Sequence, residues 1–437
     1  MTEPFDRWLE REYRYAATAM LRSVSRVDLV RTRPGFGQTV RPVAGAIVAS
    51  PVPGAYDPDP DYFFHWYRDS AVVIDALRLL YANGDVGAEA LAHVADFVRF
   101  SASLRTLDGR ALVAQPSWRR KVSEDHLRFL RDDADLAAAH GDAVAAEARV
   151  NPHGTLDISR WNRPQHDGAP LRALALLRWV RAAAFDAGVR DEMSTLIRAD
   201  LARTFRHWHE PSYDIWEEDM GSHYYTLCVS AAALDEGADW LHTGGDQSAA
   251  RSYRTEAGTI RRRLDEFWLA DEGYYRSRIM VSGRSVKELD IAVILAAIHA
   301  ASTGASHSAR DPRMHASLMR LDALFAATYP INRNRCSLRG TAMGRYPGDT
   351  YYSGGAYYFS TLGAAEFCFR AAAAAQDRHA WVERGDAYLA TVRAHTPAGG
   401  ELSEQFDQDT GAQTSAKHLA WSYAAFISCC ATRRNVV

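Results

Sequence analysis

A chain of 437 residues with 47% hydrophobic content can bury a large core, and barrels of this length commonly run as one domain. Its 51 basic and 54 acidic residues nearly cancel, leaving no basic footprint for nucleic acid and no polybasic stretch for a membrane surface. The opening MTEPFDRWLEREYRY lacks the basic start and apolar run of a secretory signal. Nowhere does the chain approach the roughly 18 consecutive apolar residues of a membrane helix.

Helical periodicity dominates from end to end. Helices are predicted near 5–24, 69–83, 87–103, 169–187, 190–208, 222–236, 249–269, 286–302, 312–328, 353–374, 380–395 and 415–431. In the seventh, Tyr253, Ala257, Ile260, Leu264 and Phe267 recur at steps of four and three while arginines fill the other face, the mark of an amphipathic surface helix. The fourth (APLRALALLRWVRAAAFDA) and the twelfth (SAKHLAWSYAAFISCCA) are apolar almost all round. Even-numbered members are the more apolar. That pattern predicts an all-α fold, an (α/α)6 barrel of about twelve helices in two concentric rings, spanning 1–437 as a single catalytic domain. Residues 104–150 read as an insertion with an extra helix at 122–147, and 272–285 reads as a short hairpin.

The five cysteines, Cys228, Cys336, Cys368, Cys429 and Cys430, sit mostly in apolar helical runs without metal-ligand spacing. They read as free thiols of a reducing compartment, so a cytoplasmic protein with no metal and no cofactor is expected.

Loops rich in aromatics, acids and arginine precede the even helices: DYFFHWYRDS at 61–70, RWNRPQHDG at 160–168, YDIWEEDMGS at 213–222, RYPGDTYYSGG at 345–355 and LSEQFDQDTGAQTS at 402–415. If helices alternate up and down, these loops emerge at one end of the barrel and build a concave, aromatic-lined ligand site. Taken singly, each piece has a plainer reading. Asp69 or Ser70 serves as a helix cap. Glu217 and Glu218 complement a helix dipole as first-turn acids. Trp66, Trp161 and Trp216 are core, and His166 and His223 are satisfied polar residues. Their collective placement favours a sugar pocket, where ring faces stack on sugars and charged groups grip hydroxyls.

The ordered motifs GAIVASP, DYFFHWYRDS, WNRPQHDG, YDIWEE, GRYPGDTYY, SEQFD and WSYAA resemble the glucoamylases of glycoside hydrolase family 15 over nearly the whole chain. The resemblance implies an (α/α)6 barrel and an inverting, exo-acting hydrolysis that releases β-glucose from α-linked gluco-oligosaccharides. It makes Glu217 the general acid and Glu404 the general base. Arg68 and Asp69 match the pair that holds the terminal glucose. Tyr62 and Trp66 match pocket-wall aromatics, Trp161 matches the tryptophan behind the acid, and Glu217 is expected to be buried against both Trp216 and Trp161. Glu218 and Arg345 resemble contacts around the cleaved bond, and Trp216 and Trp421 join the substrate-binding set. The expected partner is a small oligosaccharide, with α-1,4 linkages first and α-1,6 or α,α-1,1 bonds as alternatives. An inactive carbohydrate-binding regulatory barrel is the remaining reading. The sequence departs from the family pattern at Gly348, at Gly355, Ala356 and Tyr357, and at His166, positions that border the entrance.

Overall fold

The computed structural model describes residues 3–52, 54, 59–333 and 335–437. Twelve helices build two rings: α1 (Phe5–Leu21), α2 (Tyr67–Ala82), α3 (Glu89–Leu104), α4 (Gly168–Ala182), α5 (Ala187–His207), α6 (Tyr224–Thr243), α7 (Gln247–Asp265), α8 (Ala292–Ala300), α9 (Pro312–Thr328), α10 (Tyr358–Ala372), α11 (Arg378–His395) and α12 (Ala420–Arg434). The even helices pack in sequence, α2 on α4, α4 on α6, and onward until α12 closes on α2. The odd helices lie outside them: α1 against α12, α3 against α2 and α5, α5 against α4 and α6, α7 against α6, α9 against α8 and α11 against α10. This is the predicted (α/α)6 barrel, with every predicted barrel helix matched by one in the structure.

The reason is hydrophobic. An inner helix is covered on both flanks and behind, so it must be apolar on nearly every face. In α8, every residue of AVILAAIHA except His299 is buried. Close approach is part of this packing: a Cβ on Gly363 of α10 would stand 2.7 Å from the Leu295 side chain of α8. Outer helices bury one stripe only. In α1 these are Trp8, Leu9, Tyr13, Ala16 and Met20, with the Trp8 ring edge-on to Phe426 of α12 at 5.8 Å.

The two rings also differ at their N-termini. Asp186, Asp246, Asp311 and Asp377 cap the outer α5, α7, α9 and α11 through side-chain hydrogen bonds to backbone N–H groups. Among the described residues, none of the six inner N-cap residues caps its helix with its own side chain. The first N–H of α2, α6, α10 and α12 instead donates to a backbone carbonyl of another segment (Ala148, Ser277, Glu404 and Ala49), and that of α8 donates to the Asp290 carboxylate. The positive dipole ends of these helices face the loops that precede them, which is where the acids gather.

Three expectations are corrected. The 122–147 stretch is not a helix but 3-10 turns and the short helix Asp133–Ala138. It wraps the buried Arg131, whose guanidinium pairs with Glu147 at 2.9 Å and Asp135 at 2.7 Å, and that burial overrides local helix preference. The 272–285 segment does not fold on itself: Tyr274–Tyr275 pairs back onto Trp268–Leu269, and Arg278–Met280 joins Met220–His223. Finally, α8, α10 and α12 start about five residues later than the periodicity implied. The residues before α10 include Gly354 and Gly355 at positive φ (73° and 105°), and those before α12 include Ser415 and His418 (64° and 51°), conformations that cannot continue a helix.

Cys228, Cys368, Cys429 and Cys430 are buried free thiols and Cys336 is exposed. No helix among the described residues is long and apolar enough to cross a membrane.

Candidate active site

Six chain segments run into the N-termini of the inner helices, and five of them, all but the one before α8, line a cavity of about 410 Å³ at that end of the barrel. Tyr62, Trp66, Arg68, Asp69, Trp161, Trp216, Glu217, Glu218, Arg345, Glu404 and Trp421 all line it. A second void of about 50 Å³ lies between the inner helices and shares Phe359 and Trp421 with the first. It has room for a few waters but not for a sugar.

Glu217 sits in the turn between the paired strands Ser212–Tyr213 and Met220–His223, not in a helix, so the first-turn reading of Glu217 and Glu218 fails. Asp214 organises that turn: its carboxylate accepts from the backbone N–H of Glu218 at 2.7 Å and of Asp219 at 3.1 Å, and Arg278 neutralises it at 3.1 Å. Glu217 adopts a left-handed backbone (φ 65°), uncommon for a residue with a side chain, and its carboxyl is 9% exposed. Trp66 Nε1 donates to Oε1 at 2.8 Å, Arg68 Nη2 donates to the same oxygen at 3.1 Å, and Trp161 Nε1 donates to Oε2. Indole N–H groups only donate, so they orient the carboxyl without competing for its proton. Trp216 does not back Glu217. Its indole N–H donates to Asp290 at 2.9 Å, and its ring stacks with Phe359 and Trp421 at 5.9 and 6.5 Å. These three rings offer a flat apolar surface to a ligand.

Arg68 and Asp69 lie in the first turn of α2, whose N-cap is Trp66. Asp69 is therefore not the cap. Arg68 is shared by three carboxyls, Glu217 at 3.1 Å, Asp69 at 3.2 Å and Asp167 at 3.7 Å. One cation cannot neutralise three buried acids. Burial, reinforced by the Glu217 and Asp69 charges, pushes Asp167 up to about 6 against the pull of Arg68, and burial also raises Asp69. Arg68 Nε and Nη1, Asp69 Oδ2 and Asp167 Oδ2 are buried without a hydrogen-bond partner. Such orphaned donors and acceptors suit a ligand that carries hydroxyls.

Glu404, 8% exposed, precedes α12 on the short pairing of Gln405–Phe406 with Gln413–Thr414. Ser415 donates to its Oε2, and the Tyr62 hydroxyl donates to Oε1 at 3.3 Å while contacting the Tyr351 hydroxyl at 2.8 Å. Burial pushes Glu404 up to about 7, opposed by Ser415 and the charge of Arg345.

Glu218 faces a different set. Arg345 Nη2 donates to Oε1 at 3.0 Å, Lys287 Nζ donates to Oε2 at 2.8 Å, and the Tyr346 hydroxyl donates to Oε2 as well. Arg345 is itself fixed by a two-point pair with Asp349 at 2.6 and 2.7 Å. Sequence reasoning missed Asp167, Tyr351, Phe359, Lys287 and Ser415. Asp167 and Tyr351 lay inside motifs already singled out, whereas the segment before α8 with Lys287 carried no aromatic signal.

An (α/α)6 barrel with paired buried carboxyls, stacked indoles and an arginine in one loop-end cavity has the architecture of a glycoside hydrolase. The chain belongs to Glycosyl hydrolases family 15, whose family model matches residues 34–100, 149–383 and 375–431. Glucoamylase 1 of Rhizopus oryzae is 26% identical over 84% of this chain and 64% of its own length. A glucoamylase of Neurospora crassa is 28% identical over 90% of this chain and 64% of its own. The chain therefore spans under two thirds of either relative. The solved family 15 glucoamylase from Hypocrea jecorina shares the fold with a TM-score of 0.80 at 23% identity, covering 99% of this chain and 73% of that one.

Proposed function

We propose that this protein is an inverting, exo-acting hydrolase of α-linked gluco-oligosaccharides, with Glu217 as general acid, Glu404 as general base and α-1,4 bonds as the first substrate. The observation that carries the reading is the division of labour around one cavity. Arg68 and Asp69 bring buried polar atoms to a terminal glucose, with Asp167 behind Arg68. The two carboxyls stand apart in separate hydrogen-bond sets, one held by indoles and Arg68 and the other by Ser415 and Tyr62. Inversion needs one carboxyl to protonate the leaving oxygen and a second to activate water, with roughly 6.5–9.5 Å between them for that water. The mouth leads out past Glu218, whose side chain is 26% exposed.

Stereochemistry tests the mechanism without relying on any one residue. Single displacement at an α-glucoside must give β-glucose first, with the α anomer growing in by mutarotation. Proton NMR of the anomeric signals in the first minutes should show that order, and an initial excess of α-glucose would mean a covalent intermediate and a different role for Glu404. A panel of maltose, maltotriose, isomaltose and trehalose, read as free glucose, separates α-1,4 from α-1,6 and α,α-1,1 preference.

The base also sets a pH limb. Glu404 must be ionised to take a proton from water, and burial holds it near 7. The value of kcat/KM, which reports the free enzyme, should therefore fall with decreasing pH below about 7 as one proton binds, and this limb should vanish in Glu404→Gln. An acid limb below pH 5 in the wild type would contradict it.

A further inference from the structure

Only three of the 51 basic residues are lysines, Lys121, Lys287 and Lys417. Lys287 lies in a turn of the segment that enters α8, half-buried. Its Nζ is 2.8 Å from Glu218 Oε2, 3.4 Å from an Asp219 carboxyl oxygen and 5.0 Å from the centre of the Tyr346 ring. Arg345 also reaches Glu218, at 3.0 Å, but is itself held at two points by Asp349, and Arg278, 2.7 Å from Asp219, is shared with Asp214 and Asp290. Lys287, at 2.8 Å, stands nearer to Glu218 than Arg345 does, and its contact with Asp219 is the longer of its two. Glu218 lines the cavity and Lys287 does not, so the lysine acts through the glutamate.

Position along the cavity says which part of a substrate is involved. The Arg68 and Asp69 side chains are 6% and 9% exposed, whereas that of Glu218 is 26% exposed. A terminal sugar seated at the Arg68 end therefore places the unit beyond the cleaved bond beside Glu218. A carboxyl group with both oxygens held by donors presents its remaining lone pairs in one fixed direction, which suits sugar hydroxyls. We propose that Lys287 is a positioning residue: its ion pair keeps the Glu218 carboxylate aimed at the leaving-side sugar, and so favours a sugar over an apolar leaving group. This rests on the hydrolase reading above.

The test compares wild type, K287M and K287R on maltose and on p-nitrophenyl α-glucoside, whose leaving group has no sugar hydroxyls. In K287M the KM for maltose should rise about two- to fivefold, the size of a partly exposed ion pair. Its kcat on maltose, its KM on the aryl glucoside and its melting temperature should stay near wild type. K287R should restore most of the maltose KM, and K287E, which sets like charges face to face, should raise it further. If K287M aggregates, K287Q makes the same neutral change. An unchanged maltose KM in K287M, or an equal rise for both substrates, overturns the proposal. A wild type that cleaves neither substrate overturns the α-1,4 hydrolase reading instead.

Discussion

Glu217→Gln and Glu404→Gln are each expected to lose about 10²–10⁴-fold in turnover, the usual contribution of a general acid or base. The stability of the two variants should differ, because the carboxyls are held differently. Both oxygens of Glu217 accept hydrogen bonds, Oε1 from Trp66 and Arg68 and Oε2 from Trp161. An amide must turn its NH2 toward one of those donors, so Glu217→Gln should destabilise by about 1–3 kcal/mol, the cost of leaving a buried donor unpaired. Glu404 is different. The Ser415 hydroxyl can reverse and accept from an amide, and the buried carboxyl titrates near 7 rather than in the ordinary range. The native state therefore keeps a proton that the unfolded chain has released, and stability falls as pH rises through that window up to about 7. Removing the charge lifts this penalty, so Glu404→Gln should melt no lower than wild type at pH 8. Near-normal turnover in either variant with an intact melting curve would remove that residue from the mechanism.

Asp69→Asn is expected to cut kcat/KM by about 10- to 100-fold, the worth of a hydrogen bond to a charged group, with little loss of stability. Asp69 stands in the first turn of α2 beyond its N-cap, makes no capping bond, and its buried Oδ2 has only the ion pair to Arg68 at 3.2 Å and no aligned hydrogen bond. Burial already raises its carboxyl, so neutral Asn fits the same place at small cost. A helix cap would behave the opposite way, losing about 1 kcal/mol of stability with activity intact. Calorimetry on the same preparation used for the sugar assay decides between them, and an early-melting variant with full activity would return Asp69 to a structural role.

Much of the architecture was legible because it is written in local periodicity. Tyr253, Ala257, Ile260 and Leu264 mark a helix stripe whatever lies around them, and AVILAAIHA is too apolar for any place but an inner ring. The loops that line the cavity were legible for a related reason: each sits immediately before an inner helix, so its position in the chain already places it at one end of the barrel. The failures have a common origin. Arg131 looked like one more charge on a helical surface, yet its pairing with Glu147 and Asp135 bends 122–147 into turns. Trp216 adjoins Glu217 in the chain, but the strand pairing of 212–213 with 220–221 and the bond to Asp290 send its indole elsewhere.

The sequence by itself therefore determined the two-ring barrel, the end at which the site lies and the residue types gathered there, since these follow from spacing of three or four residues and from helix order. Only the tertiary structure decided which groups meet. Trp66 reaches Glu217 across 151 positions and Tyr62 reaches Glu404 across 342, and Lys287 reaches Glu218 from a segment without any motif. Those contacts exist because the ring closes α12 onto α2, and hydrogen-bond partners, burial and hence proton affinity are properties of that closed arrangement rather than of neighbours along the chain.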